Sequence, residues 1–466
     1  MMPWLSRYLP SSVRSLIYML QASEYNIRDY VKWLHRVEDF RFVEHRKKLV
    51  WTPKAILLYV LAWSLVVLWL ALAFSTGKPL VVGIAFLVWP FLLAYGLILV
   101  VLALRAIQLP IELLLIGRAK QRLSRHKALK IAIAGSYGKT SMREILKTVL
   151  SEGKKVAAPP GSYNTPLGIA GFVKSLKGDE DVLVFELGEY YRGDIKKLCR
   201  FVRPSIGIIT GVNEAHLEKF GTLENTADTI FELAEYLQDK FVYVNAENDI
   251  SQGRALKEHT LYSREGVGNW KVSDAKTRLE GTSCMLANGS VAIHVRSKLL
   301  GLHQIGPLAV AVDIATSIGL APSHIETGIA KTSAFPHRLE PKVLDGVTTL
   351  DDSYNGSPDG VKAVIEFLAS LPGRRLYVTP GLVEMGSRAE EVHKEIGRQL
   401  ARAGIEKIVL IKNSVTLYIE KGLREAGFTG EMTWFDDGLA AYIALPHMTV
   451  KGDVVLLQND WPDQYV

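Results

Sequence analysis

Two long uncharged runs lie near the start of the chain. From Ala55 to Phe74 it reads AILLYVLAWSLVVLWLALAF, and from Pro79 to Leu104 it again carries no charge. Each is long enough to cross a hydrocarbon core about 30 Å thick, which takes about 20 residues. A buried pair of core helices would share this composition. The lengths, and Trp51, Trp63, Trp69 and Trp89 at several depths, favour membrane spans over about 55–75 and 79–104. Only Ser75-Thr76-Gly77-Lys78 separates them, so they predict a hairpin. The pair begins too late and runs too long for a cleaved signal peptide. Ahead of it, SLIYMLQASEYNIRDYVKWLHRV has helical apolar spacing and predicts a helix lying on the membrane surface. Residues 105–128 read as a basic connector.

Beyond residue 128 the pattern changes. Short apolar runs, IAIAG, DVLVFEL, SIGIITG and FVYVN, alternate with helical stretches such as SMREILKTVLSEG and TLENTADTIFELAEYL. That alternation predicts a parallel sheet covered by helices. Residues 260–300 are β-rich and punctuated by turns, with Ala287-Asn288-Gly289 as a hairpin turn, and 303–331 look helical. From Arg338 a second α/β unit begins, with strands near TTLDDS, RRLYVTP, KIVLI and DVVLLQ. The fold class expected is therefore α/β behind an N-terminal two-helix hairpin. The domains expected are 1–128 (surface helix and hairpin), 129–334 (a phosphate-loop sheet domain) and 335–466 (a Rossmann-like α/β domain).

Composition sharpens this picture at two points. The chain has 466 residues, room for about three domains. Its formal net charge is +7. Much of that charge flanks the hairpin: Arg41, Arg46, Lys47, Lys48 and Lys54 before it, Arg105, Arg118, Lys120, Arg122, Arg125 and Lys127 after it. Positive residues on both flanks predict that both ends, and the domains that follow, lie in the cytoplasm at the inner membrane. No interleaved basic and aromatic pattern points to nucleic acid. Cys199 and Cys284 stand far apart in no metal-ligand spacing and read as reduced thiols.

The chemistry starts at KIAIAGSYGKTS, residues 130–141. A strand runs into Gly135-Ser136-Tyr137-Gly138-Lys139-Thr140, and a helix follows from Ser141. The glycines let backbone N–H groups turn toward an anion, the helix N-terminus adds positive potential, and Lys139 adds a point charge. The Thr140 hydroxyl is placed to ligate Mg²⁺. A tight turn carrying a lysine is the plainer alternative, which Gly-x-x-Gly-Lys-Thr after a strand disfavours. Mg²⁺ prefers carboxylate and hydroxyl oxygens. Glu186 ends the strand VLVFEL, and His216 follows SIGIITG, so both reach the edge where open α/β sheets bind ligands. Structural roles for each are the alternatives.

These residues resemble the Mur ligase family, ATP-dependent amide ligases of cell-wall precursors. GSYGKTS is similar to its short phosphate loop. FELG and VNEAHLEKFGTLEN resemble its metal-binding segments, FPHRLEP its linker arginine, and LDDSYNGSPDG the opening of its C-terminal domain. PGSYNTPLGIA, GLVEMGSRAEEVHKEIG and GDVVLLQ resemble the type that adds D-alanyl-D-alanine. The resemblance spans roughly residues 129–458. It implies that ATP phosphorylates an acceptor carboxylate and that an amine then displaces phosphate. It further implies that Lys139 and the loop, from Gly135 to Ser141, hold the phosphates. Thr140 and Glu186 would ligate one Mg²⁺ and His216 a second. Asn164 and Thr165 would line the acceptor site. Arg338 and Asp352 would reach the nucleotide, and Tyr354 and Asn355 would stand at the domain cleft. Glu384 and His393 would bind the incoming amino acid or dipeptide. A solvated His393 on a charged helix, and DDSYNGSPDG as an ordinary turn cluster, remain open.

Three departures qualify the resemblance. Many relatives carry a lysine that is carbamoylated to bridge two Mg²⁺ ions; its position falls near Ile230, and no lysine lies between Lys219 and Lys240. The adenine-contacting segment reads Gly301-Leu302-His303-Gln304-Ile305-Gly306-Pro307, where Gln304 keeps an amide. The hairpin stands where the family's UDP-recognition domain is expected, which predicts an acceptor that is lipid-linked or held at the membrane. The ending NDWPDQYV also differs from the usual basic one. A poly-γ-glutamate-type ligase and a non-catalytic nucleotide-binding membrane protein are the rival readings.

Overall fold

The computed structural model describes residues 3–23, 25–43, 49–161, 163–214, 217–354, 356–383 and 385–458. Residues up to Leu114 form one compact unit and those from Leu115 onward a second.

In the first unit, α1 (Ser11–Ala22) and α2 (Ile27–Arg36) precede the hairpin helices α3 (Pro53–Ser75) and α4 (Pro79–Arg125). Thr52 caps α3 by accepting from Ala55 N at 3.2 Å, and Pro53 occupies its first turn. Gly77, at φ +62°, reverses the chain before Pro79. Only 22% and 33% of the residues in the most apolar stretches of α3 and α4 are buried. Ile56, Leu57, Val60, Val67, Leu68 and Leu72 are exposed on α3. A core helix of a water-soluble domain would hide that surface, so both helices are long and apolar enough to cross a membrane and show outward the faces a bilayer would cover. α4 continues through Pro90 and Pro110 and is 47 residues long, about 70 Å at ~1.5 Å per residue. The expected connector 105–128 is thus largely the end of this helix.

The surface helix expected before the hairpin is two helices. Tyr25 adopts φ +60°, and Asn26 accepts from Arg28 N at 2.9 Å to start α2 afresh. The apolar face of α1 packs on the hairpin: Val13, Leu16, Ile17 and Leu20 are buried in one cluster with Leu58, Ala62 and Leu97. Its apolar spacing marks a face that packs on protein. On α2 only Tyr30 is buried, and its hydroxyl donates to Ala94 O at 3.1 Å.

In the second unit, the first sheet contains β1 (Leu129–Ala134), β2 (Val156–Ala157), β3 (Val182–Glu186), β4 (Ile206–Ile209), β5 (Val242–Asn245), β6 (Thr260–Ser263), β7 (Gly266–Val267), β8 (Trp270–Arg278), β9 (Gly281–Asn288) and β10 (Val291–Ser297). Their order is β10-β9-β8-β7-β6-β5-β4-β1-β3-β2. Pairing is parallel from β2 to β6 and antiparallel from β6 to β10. The β-rich stretch 260–300 therefore extends the parallel sheet and is not a separate element. Alternate residues of β1 point to opposite faces, as the strand period requires. Ile131 and Ile133 pack under α5 (Lys139–Leu150) and the 305–331 helices; Ala132 and Ala134 pack under helices of 166–236, together with Ala119 and Leu123 from the end of α4.

The second sheet contains β11 (Glu340–Leu344), β12 (Val347–Asp352), β13 (Arg375–Thr379), β14 (Lys407–Ile411), β15 (Glu431–Phe435) and β16 (Val454–Gln458), in the order β11-β12-β16-β13-β14-β15. All pairs are parallel except β11 with β12. Register places Ile133 beside Glu186, Ala134 beside Ile209, and Asp352 beside Gln458, so the predicted loop and its partners leave the carboxyl ends of their strands.

Candidate nucleotide and metal site

The phosphate loop is built by close backbone approach. Gly135 has φ +147°, and a Cβ there would lie 2.1 Å from Thr210 Oγ1. Thr210 donates to Ala134 O at 3.3 Å and contacts Tyr137 O, while Ser136 N donates to Gly211 O at 2.9 Å. The end of β4 thus holds the loop that leaves β1. Gly138, at φ +73°, caps α5 and aims its first N–H groups outward. Lys139 Nζ donates to Gly135 O and stands 2.7 Å from Glu189 Oε1.

Glu186 is buried beneath this loop. It accepts from Thr140 Oγ1 at 3.3 Å, and its Oε1 is 2.9 Å from Arg143 Nη1 without hydrogen-bond geometry. Arg143, itself buried, also donates to Gly161 O at 2.5 Å and to Glu144 Oε1 at 2.7 Å. Burial pushes the Glu186 carboxyl above its usual range, against the pull of Arg143, Lys139 and Arg338. One oxygen of Glu186 and one of Glu189 are buried without a hydrogen bond. A hydroxyl and two carboxylates with unsatisfied oxygens form a donor set that fits a hard divalent cation.

The second sheet contributes from the other side. Arg338 lies 4.9 Å (Cζ to ring centroid) from Tyr354, its Nε is buried without a hydrogen bond, and it feels the charges of both Asp352 and Glu186. Asp352 accepts from Leu339 N at 3.1 Å and Gln458 Nε2 at 2.9 Å. Three further contacts join the two halves. Asn213 Nδ2 donates to Asp359 Oδ2 at 2.9 Å, and its backbone N–H donates to Ser136 Oγ at 3.2 Å. Arg264 bridges Glu247 at 3.2 Å and Glu366 at 2.8 Å, and Arg388 is 3.6 Å from Glu214.

Burial pushes Asp352 up to about 6, with Arg338 opposing. A carboxyl raised on folding resists ionising, so its contribution is fully present below the unfolded value near 4 and is lost as pH rises to about 6. The stability of Asp352→Asn relative to wild type is expected to climb over that window and then level off. Denaturant unfolding at stepped pH checks this; a difference flat from pH 4 to 7 refutes it.

Of the residues expected from the sequence, the structure gathers Gly135 to Thr140, Glu186, Arg338 and Asp352. Ser141 follows in the first turn of α5. Asn164 O accepts from Gly188 N at 3.0 Å, beside the end of β3, and Thr165 caps the next helix. Tyr354 is exposed over Arg338. The Gln304 amide is 2.8 Å from His303 Nε2. His393 is neither solvated nor open: its Nε2 accepts from Leu382 N at 2.8 Å and its Nδ1 contacts Ala389 O at 2.5 Å, fixing the 380–385 turn. His216, Asn355 and Glu384 lie outside the described residues. Ile230 is fully buried. Glu189, Arg143, Asn213 and Asp359 were not anticipated. Arg143 stands four residues after Lys139, so helical spacing alone puts both on one face.

Comparison with known proteins agrees with this geometry. The Mur ligase middle domain matches residues 133–315, and the Mur ligase, glutamate ligase domain matches 337–458. The UDP-N-acetylmuramoyl-tripeptide–D-alanyl-D-alanine ligase of Mycobacterium tuberculosis (strain CDC 1551 / Oshkosh) is 30% identical over 356 residues, 70% of this chain and 69% of that protein. Its namesake in Escherichia coli K12 is 27% identical over 63% of this chain and 67% of that protein. A solved MurF ligase from Thermotoga maritima, in complex with ADP, shares the fold at TM-score 0.66 and 24% identity, covering 75% of this chain and 80% of that one. Two domain matches in the order of the two sheets, with a relative 30% identical across more than two thirds of its own length, mean that this chain belongs to the Mur ligase family.

Proposed function

We propose that this protein is an ATP-dependent amide ligase that adds D-alanyl-D-alanine, or a dipeptide like it, to a peptidoglycan precursor at the cytoplasmic face of the inner membrane. The observation that carries the reading is the joint construction of one site: Lys139, Thr140 and Glu186 from the first α/β half, and Arg338 and Asp352 from the second. The named activity of the matched relatives supports it.

Lys139 and the loop amides hold the β- and γ-phosphates. Thr140 and Glu186 would hold Mg²⁺, which would neutralise phosphate charge and orient the γ-phosphoryl group. Arg338 offers a cation from the second half. The acceptor carboxylate takes the γ-phosphoryl group, the P–O bond to ADP breaks, and the dipeptide amine then displaces phosphate from the acyl carbon. These residues act by position and charge, with no protein nucleophile. Asn164 and Thr165, beside the end of β3, line the acceptor side, and Tyr354 stands at the cleft.

The hairpin supports an acceptor that is lipid-linked, because sharing a bilayer raises the effective concentration of the two reactants. The test is product mass spectrometry of the full chain with ATP, Mg²⁺, D-alanyl-D-alanine and matched lipid-linked and UDP-linked muropeptides. An amide product, formed faster on the lipid-linked acceptor, is expected. Preference for the UDP form rejects the lipid-linked acceptor. Phosphate release without amide formation with any acceptor rejects the ligase.

A further inference from the structure

We infer that Glu189 is a ligand of a second divalent cation beside the nucleotide phosphates. The inference rests on the ligase reading above and assigns a residue that the phosphate loop and Glu186 do not account for. Glu189 follows the end of β3 by three residues and is 3% exposed. One carboxylate oxygen meets Lys139 Nζ at 2.7 Å. The other is buried with no hydrogen-bond partner. The same strand end carries the poorly satisfied Oε1 of Glu186. Of these two buried carboxylates Glu186 has Arg143 beside it, and Glu189 has Lys139.

Nucleotide binding upsets that balance. Lys139 is the residue the phosphates attract, and as it turns to them Glu189 loses its counter-charge. An ionised carboxylate buried without a counter-charge is costly, and a cation relieves that cost. Arg143 does not relieve it, since its guanidinium is held by Gly161 O, Glu144 and Glu186. A divalent cation does, and carboxylate oxygen is the donor that Mg²⁺ and Mn²⁺ prefer.

The test uses the full chain in detergent, loaded with a non-hydrolysable ATP analogue and titrated with Mn²⁺ under electron paramagnetic resonance. Wild type is expected to bind two Mn²⁺ per nucleotide. Glu189→Gln is expected to keep the analogue and the first Mn²⁺ but to bind the second at least ~10-fold more weakly, the loss typical of even an outer-shell partner. Retained analogue binding shows that the variant is folded. Equal affinity for the second Mn²⁺ in both proteins overturns the assignment. One Mn²⁺ in wild type, a measurement that needs no variant, overturns it also and leaves the ligase reading standing. Failure of wild type to bind the analogue at all overturns the ligase reading itself.

Discussion

Lys139→Ala is expected to abolish ATP-dependent amide formation. Its ammonium is the one side-chain cation of the phosphate loop, and it is already held at the loop's mouth by Gly135 O and Glu189. Removing one preorganised charge or donor from a developing phosphoryl transition state typically costs about 10²- to 10³-fold in rate. A second cost is structural. Lys139 and Glu189 have side chains only 14% and 2% exposed, so truncation strands a buried carboxylate. Breaking one side of such a pair costs about 3–5 kcal/mol. The double variant Lys139→Ala/Glu189→Gln should recover much of that stability while remaining inactive. Product mass spectrometry and denaturant unfolding separate the two effects. Ligation retained in Lys139→Ala would refute the phosphate-loop assignment.

Gly135→Ala is expected to damage the loop far more than Gly138→Ala, although both glycines have positive φ. At Gly138 the added Cβ meets nothing closer than 3.6 Å, leaving mainly the backbone cost of about 1–2 kcal/mol. At Gly135 the same methyl group would sit 2.1 Å from Thr210 Oγ1. Thr210 must then surrender its bonds to Ala134 and Tyr137, each worth about 0.5–1.5 kcal/mol net, on top of the backbone strain. The sum, roughly 2–5 kcal/mol, falls on the segment that must grip phosphate. Nucleotide affinity measured by calorimetry should drop by about 30-fold to several-thousand-fold in Gly135→Ala and by about 5- to 30-fold in Gly138→Ala. Equal losses would show that the approach of Thr210 does not shape the loop.

Much of this architecture was legible because its signals are local. Continuous apolar runs ending in glycine gave β1, β3 and β4, and Gly-x-x-Gly-Lys-Thr named the loop between β1 and α5. The edge strands β2 and β15 lack that signature: Val156–Ala157 is two residues long, and EMTWF carries a charge at its start. The packing of α1 on the hairpin was not legible, because apolar spacing does not say whether a buried face meets lipid or protein. Glu186 was readable at the end of an apolar strand. Glu189 was not, because it follows Gly188 where the chain leaves the sheet, and only the fold turns it back to Lys139. Arg338 and Asp352 could be placed by motif order, but their shared field with Glu186 comes from the packing of two sheets more than a hundred residues apart. His393 shows the converse error: a charged helix sequence hid a residue whose imidazole is sealed into a backbone turn.

The isoleucine at 230 leaves no place for a charged side chain. It sits fully buried with Ala227, Leu233, Leu187 and Val212 in a dry core. A single exchange to lysine would put an ammonium group among these side chains before any carbamate could form on it. Ile230→Lys is therefore expected to show itself first as a folding defect, whatever ion chemistry the phosphate loop supports.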